Sequence, residues 1–124
     1  METRVGFERL TPMLRTADLV ATIDFYTGVL GFECRARSDA DGWATLGRDG
    51  VELMVTPPNQ HLPFCEPAFT GSFYFRVDDV SALWDAVKSR VEVCYPMEDF
   101  GYGMREFAIY DSSGYILQFG SPLS

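Results

Sequence analysis

Apolar residues recur at helical spacing twice along the chain. Leu19, Ile23, Tyr26 and Leu30 predict one helix, and Val80, Leu83, Val87 and Val91 predict a second. Asp18 and Asp79 stand just ahead of these runs, where a carboxylate accepts from unpaired backbone N–H groups and faces the positive end of the helix dipole. Gly31 follows the first run as a stop. The two helices open with related phrases. The residues from Arg15 to Asp24 read like those from Arg76 to Asp85, with Arg, Asp, Ala and Asp recurring at a constant offset. Strand patterns precede the helices at residues 11–16 and 72–77. They follow them at 32–37, 43–46 and 51–56, and again at 93–94, 105–110 and 115–119, with Asp41-Gly42, Asp49-Gly50 and Ser113-Gly114 supplying turns. Each half therefore reads as strand, helix, three strands.

Period-two alternation assigns the faces of these strands. Val51, Leu53 and Val55, Phe73, Phe75 and Val77, and Leu117 and Phe119 point one way, toward the helices. The opposite face carries Glu52 and Met54, Ser72, Tyr74 and Arg76, and Ile116 and Gln118. Such a mixed face suits the wall of a cleft if the sheet curves, and suits solvent if it does not. The expected fold class is α+β: paired βαβββ modules forming a curved mixed sheet with a cleft, helices on the outer face. One domain spans 1–124, with a first module at about 8–57 and a second at about 70–121. The linker, about 58–69, is proline-rich, and proline forbids ladder pairing.

Composition fits this picture and narrows the partners. A chain of 124 residues, 47% of them hydrophobic, forms one core without disulfide or metal support. The formal net charge is -8, which disfavours nucleic acid and anionic membranes and would attract a cationic small molecule. No apolar run reaches the roughly 18 residues of a membrane span, and the charged first ten residues do not resemble a signal peptide. Cys34, Cys65 and Cys94 are odd in number and widely spaced, as expected of unpaired thiols in a cytoplasmic protein.

The phrase from Thr11 to Leu19, then Asp24-Phe25-Tyr26 and Val29-Leu30-Gly31-Phe32, resembles the opening of the vicinal oxygen chelate superfamily. That group contains glyoxalase I, bleomycin resistance proteins and extradiol dioxygenases. The run from Gly103 to Asp111, followed by Ser113-Gly114, is most similar to the bleomycin-resistance branch, with Ser112 where that branch has proline. The resemblance implies a homodimer whose cleft uses both subunits. It also places the superfamily's metal-ligand positions at Thr11, Glu52, Ser72 and Gln118. One carboxylate, one amide and two hydroxyls make a poor transition-metal set, so no metal and no cofactor is expected. The only histidine, His61, falls in the linker and reads as a solvated side chain rather than a ligand.

The remaining reading is a metal-independent pocket for a small, partly aromatic compound, of cationic character if the acidic residues take part, resembling antibiotic sequestration by bleomycin resistance proteins. Trp43, Tyr74, Phe100 and Tyr102 are its candidate rings, with Met13, Met54 and Met104 as adaptable filler. Glu52, Ser72, Arg76, Arg105 and Gln118 are its candidate polar groups; the resemblance places Arg105 near the cleft, while a surface ion pair is the plainer alternative. No catalytic residue is assigned. Glu52 could instead act as a general base in a lyase or isomerase, metal-free or with an atypical metal at Glu52 and Gln118, or simply pair with an arginine across the sheet. A regulatory member with a vestigial cleft is a third reading. The segment 98–103, with its two acids and flanking glycines, is expected to form a lid-like loop.

Overall fold

The computed structural model describes residues 5–58, 66–69 and 71–123. Its elements run β1 (Met13–Arg15), α1 (Leu19–Asp24), β2 (Glu33–Ser38), β3 (Trp43–Arg48), β4 (Val51–Thr56), β5 (Phe73–Arg76), α2 (Val80–Val87), β6 (Glu92–Phe100), β7 (Met104–Tyr110) and β8 (Ile116–Pro122). Both helices start as their sequences require. The Asp18 carboxylate accepts from the Ala21 N–H and that of Asp79 from the Ala82 N–H, each at 3.0 Å. The first helix is not uniform: after Asp24 it widens into a π-helical turn over Phe25–Val29. Gly31 then reverses the chain at φ +70, a conformation that favours glycine.

The strands form two four-stranded sheets, ordered β1-β4-β3-β2 and β5-β8-β7-β6. In each, the leading strand pairs in parallel with the last and the other pairings are antiparallel. This is the α+β class with two βαβββ modules, although the hydrogen-bonded ladders are two separate sheets rather than one. The helix-facing sides hold Leu46, Leu53 and Val55 in the first module and Phe107, Ile109, Leu117 and Phe119 in the second, all buried. Fully burying one such side chain contributes roughly 1.5–3 kcal/mol, so the period-two pattern of the strands dictates which face each sheet hides.

One apolar core joins the modules. Phe32 of the first meets Phe75 of the second edge-on, at 6.4 Å between ring centroids. The Tyr26 hydroxyl donates to the Asp111 carboxylate at 2.8 Å, and the Arg15 N–H donates to the Tyr115 hydroxyl at 2.9 Å. Asp111 also organises its own turn by accepting from the N–H groups of Ser113 and Tyr115, both at 2.9 Å. Burial holds its pKa above the ordinary carboxylate value despite these bonds.

The strand expectations need one substantial correction. Glu98, Asp99 and Phe100 are not a lid: they extend β6, paired with Glu106, Arg105 and Met104 of β7. Two register shifts, between Val93 and Tyr95 and between Tyr95 and Glu98, break the alternation that a sequence pattern would detect. Only Gly101 to Gly103 form the turn, with Gly103 at φ +89.

Candidate functional site

The faces turned away from the helices differ between the modules. On the first, Met13 of β1 lies opposite Met54 of β4, and Thr45 lies on the other side of Met54. Trp43 belongs to the same face by alternation, since Ala44 and Leu46 are buried on the helix side. The polar feature here is an ion pair, Arg35 to Glu52 at 3.3 Å, with both partners partly exposed. The guanidinium lies across Gly47, where a Cβ would collide with it.

On the second face the polar groups converge on a single carboxylate. Glu106 of β7 is only 2% exposed. It accepts from the Tyr74 hydroxyl at 2.7 Å on Oε2 and from the Tyr102 hydroxyl at 2.6 Å on Oε1. Gln118 Nε2 lies 3.4 Å and the Tyr95 hydroxyl 3.5 Å from Oε1. The amide is itself oriented by Ser72, whose hydroxyl donates to Gln118 Oε1 at 2.7 Å. Tyr74 reaches its partner by crossing β8 at Gly120, where a Cβ would overlap its hydroxyl.

These contacts fix the ionisation of the cluster. Burial alone would raise the Glu106 pKa, but hydrogen bonds from Tyr102, Tyr74, Gln118 and Tyr95 outweigh it and hold the carboxyl below its ordinary value. The phenols respond in the opposite sense. Partial burial and the bond to Glu106 push Tyr74 up to about 12. The same bond, ahead of desolvation, pushes Tyr102 up to about 12. At neutral pH the site is therefore an anionic carboxylate ringed by neutral phenols.

A cavity of about 370 Å³ opens over this cluster, lined by Tyr95, Glu98, Phe100, Tyr102, Glu106 and Gln118. Phe100 and Tyr102 stack at its edge, with centroids 5.5 Å apart and planes 14° from parallel. Tyr95 meets Phe100 edge-on at 5.9 Å. A larger cavity, about 850 Å³, lies at the module junction among Phe32, Val51, Phe75, Leu83 and Phe119. Its walls also carry Arg48, Asp49, Asp78, Asp79 and the candidate residue Arg76, but it contains none of the candidate rings.

The candidate residues thus divide. Tyr74, Phe100, Tyr102, Ser72 and Gln118 share the second face, as does Met104, whose backbone pairs with Phe100. Met13, Trp43, Glu52 and Met54 share the first. Arg76 is exposed beside Tyr74, whose pKa its charge draws down slightly against the larger upward effects. Arg105 is not at this site. It binds Asp99 at 2.6 Å and Ser81 at 3.3 Å, on the helix side of the sheet, because strand alternation sends it opposite to Glu106. Glu106 is not among the residues singled out from the sequence, so the centre of the cluster was missed. The signal was present in the alternation: Glu106 shares a face with Gln118, Tyr74 and Glu98.

The four positions that would hold a metal in relatives do not fit one. Glu52 is paired with Arg35, Ser72 and Gln118 are bound to each other, and Thr11 precedes β1. Glu52 and Gln118 lie on different sheets. With no imidazole or thiolate in the set, two hydroxyls, an amide and a paired carboxylate are weak transition-metal donors. Cys34 and Cys94 are free thiols, while His61 and Cys65 lie outside the described residues.

The family model of the glyoxalase/bleomycin resistance protein/dioxygenase superfamily matches residues 8–119. The chain belongs to this superfamily. The same fold occurs in a protein of unknown function from Agrobacterium tumefaciens, with a TM-score of 0.78 at 20% identity, covering 97% of this chain and 98% of that one. A superfamily member from Nocardioides gives a TM-score of 0.77 at 20% identity, over 98% and 87% of the two chains. The bleomycin-binding protein of Streptomyces verticillus, solved with copper(II)-bleomycin, gives 0.70 at 26% identity, over 94% and 97%. No curated protein sequence matches the chain. Among the described residues of this superfamily member, no helix is long and apolar enough to cross a membrane.

Proposed function

We propose that this superfamily member binds a small, partly aromatic compound on the open face of its second sheet, without a metal, as a sequestering protein rather than a catalyst. The observation that carries the reading is the Phe100–Tyr102 stack at the edge of a cavity whose floor is the buried Glu106 carboxylate. Stacked rings offer a flat ligand a surface worth about 0.5–1.5 kcal/mol per contact beyond the area buried. The bleomycin-binding relative adds support by its shared fold. Catalysis by Glu52 has less support, because that carboxylate is engaged by Arg35 on the other sheet.

The working unit we propose is a cytoplasmic homodimer. Met13, Tyr74 and Tyr102 are 56%, 45% and 66% exposed on the open faces, and a second copy would cover such apolar area while walling the cavity. The free thiols at Cys34 and Cys94 agree with a reducing compartment.

A thermal-shift titration with metal-free bleomycin and a panel of flat heteroaromatic compounds tests the binding. A ligand at about a hundred times its Kd stabilises by roughly 2.7 kcal/mol and raises Tm by several degrees. A saturable rise that Tyr102→Ala removes supports the proposal. The absence of any saturable rise across the panel overturns it.

A further inference from the structure

Hydrogen-bond direction around Glu106 says more about the ligand than the cavity's shape does. A phenol has one proton to donate. The Tyr74 proton goes to Glu106 Oε2 and the Tyr102 proton to Oε1. The Ser72 hydroxyl donates to Gln118 Oε1. Gln118 turns its N–H groups inward as well, toward Glu106 and the Tyr95 hydroxyl. The side-chain donors with resolved bonds at this site thus point at one buried carboxylate or at the amide beside it, and lone pairs are what they present outward.

The charges point the same way. Glu98 lies opposite Glu106 in the β6–β7 register, so both carboxylates share the face, and both line the cavity. Glu98 makes no ion pair among the described residues. Among the described residues, no cation lines the cavity. Arg105 is held on the other side of the sheet by Asp99, and Arg76 lines the larger cavity at the module junction rather than this one. An incoming anion would meet two carboxylates and oxygen lone pairs. An N–H donor carrying positive charge would meet an acceptor at every polar atom, with the Tyr102 and Phe100 rings beside it.

We infer that this cavity takes compounds bearing a cationic N–H donor group, an amidinium, guanidinium or protonated amine joined to a flat ring, and rejects their carboxylate counterparts. The inference rests on the binding reading above and narrows it from shape to donor polarity. Glu98 is the contact residue for the cation, and Glu106 is a positioning residue that keeps the phenol protons turned inward.

Four probes of one ring and different head groups separate the alternatives: benzamidine, benzamide, benzoate and phenyltrimethylammonium. Ligand-observed NMR titration of the full chain gives the Kd of each. Benzamidine is expected to bind about tenfold more tightly than benzamide, with benzoate weakest. Phenyltrimethylammonium, a cation with no N–H, should fall between the first two. Glu98→Gln, at an exposed site that leaves Glu106 untouched, should cost benzamidine about tenfold and benzamide clearly less, narrowing the gap between them. Benzamide or benzoate binding as well as benzamidine overturns the inference and leaves the aromatic-binding reading standing. Phenyltrimethylammonium equal to benzamidine overturns the donor requirement. Failure of all four to bind at millimolar concentration overturns the inference and counts against the broader reading.

Discussion

The two modules spend their open faces differently on the same framework. The first lays methionines, a tryptophan and an exposed ion pair across its sheet, whereas the second buries a carboxylate beneath phenols. Behind both faces the helix-side packing is alike, with leucine at matching places in the last strand, Leu53 and Leu117. The contrast teaches that two like modules can keep one core pattern while their outward residues differ. It also explains why one module offers a candidate site and the other offers mainly covering surface.

The largest effects should be those the modules share. Leu53→Ala and Leu117→Ala each open a cavity in the packed layer and should cost about 2–5 kcal/mol, read from urea unfolding. Similar losses from the two would confirm the equivalence of the helix sides. A loss confined to one module would show that a single module carries the fold.

The open faces should separate under the same measurement. Glu106→Ala removes the acceptor of two short phenol bonds from a nearly dry position and should cost about 3 kcal/mol. Glu52→Ala breaks a partly exposed pair and should cost at most about 1 kcal/mol. Equal losses would remove the distinction between a buried network and a surface pair.

That distinction was only half legible in the sequence. Helix caps, strand pattern and the internal repeat reveal both modules, because each rests on local chemistry or on a period of two or 3.6. The bulged strand β6 escapes the same logic: its register shifts interrupt the period, so its outer half reads as a loop. Alternation alone puts Ser72, Tyr74 and Gln118 on one face, whereas Phe100 and Tyr102 fall in the stretch that reads as a loop and so carry no face in the sequence. Glu106 is harder to see, since its role depends on three side chains from β5, β6 and the turn before β7 arriving at one point. Arg105 misleads for the complementary reason, because a motif resemblance carries its position but not its orientation.

Acidity provides a further separation, within the second module. The Glu106 pKa is depressed on folding, so the carboxylate contributes stability above its unfolded-state pKa and loses it as pH falls through the folded value. Asp111 is shifted the other way by burial, so its charged form weakens the fold, and protonation relieves that cost as pH falls through the raised value. Stability measured from pH 7 downward should therefore fall less steeply in Glu106→Gln than in the natural protein. Asp111→Asn should make the decline steeper by removing the compensating gain. NMR titration of the two side-chain carboxyls checks the signs directly, with Glu106 below the ordinary glutamate value and Asp111 above the ordinary aspartate value. A Glu106 value above the ordinary one would mean that burial, rather than phenol donation, dominates there.

Two glycines that play matching parts should have smaller effects than loss of the Glu106 carboxylate. Gly47 lets the Arg35 guanidinium cross the first sheet toward Glu52, and Gly120 lets the Tyr74 ring cross the second toward Glu106. A methyl group at either place meets the end of a side chain rather than backbone, so both chains can still fold. The consequences differ because the displaced groups differ. Arg35 is flexible, partly exposed and already shared with the Asp49 carbonyl at 3.0 Å, so Gly47→Ala should change stability by no more than about 0.5 kcal/mol. Tyr74 is stiffer, and losing its contact uncovers a buried anion, so Gly120→Ala should cost about 1–2 kcal/mol. Displacing that phenol should also return its pKa from about 12 toward the ordinary tyrosine value, which ultraviolet titration can follow. If Gly120→Ala leaves both stability and the Tyr74 titration unchanged, the phenol is not held by Glu106, and the second face is no more organised than the first.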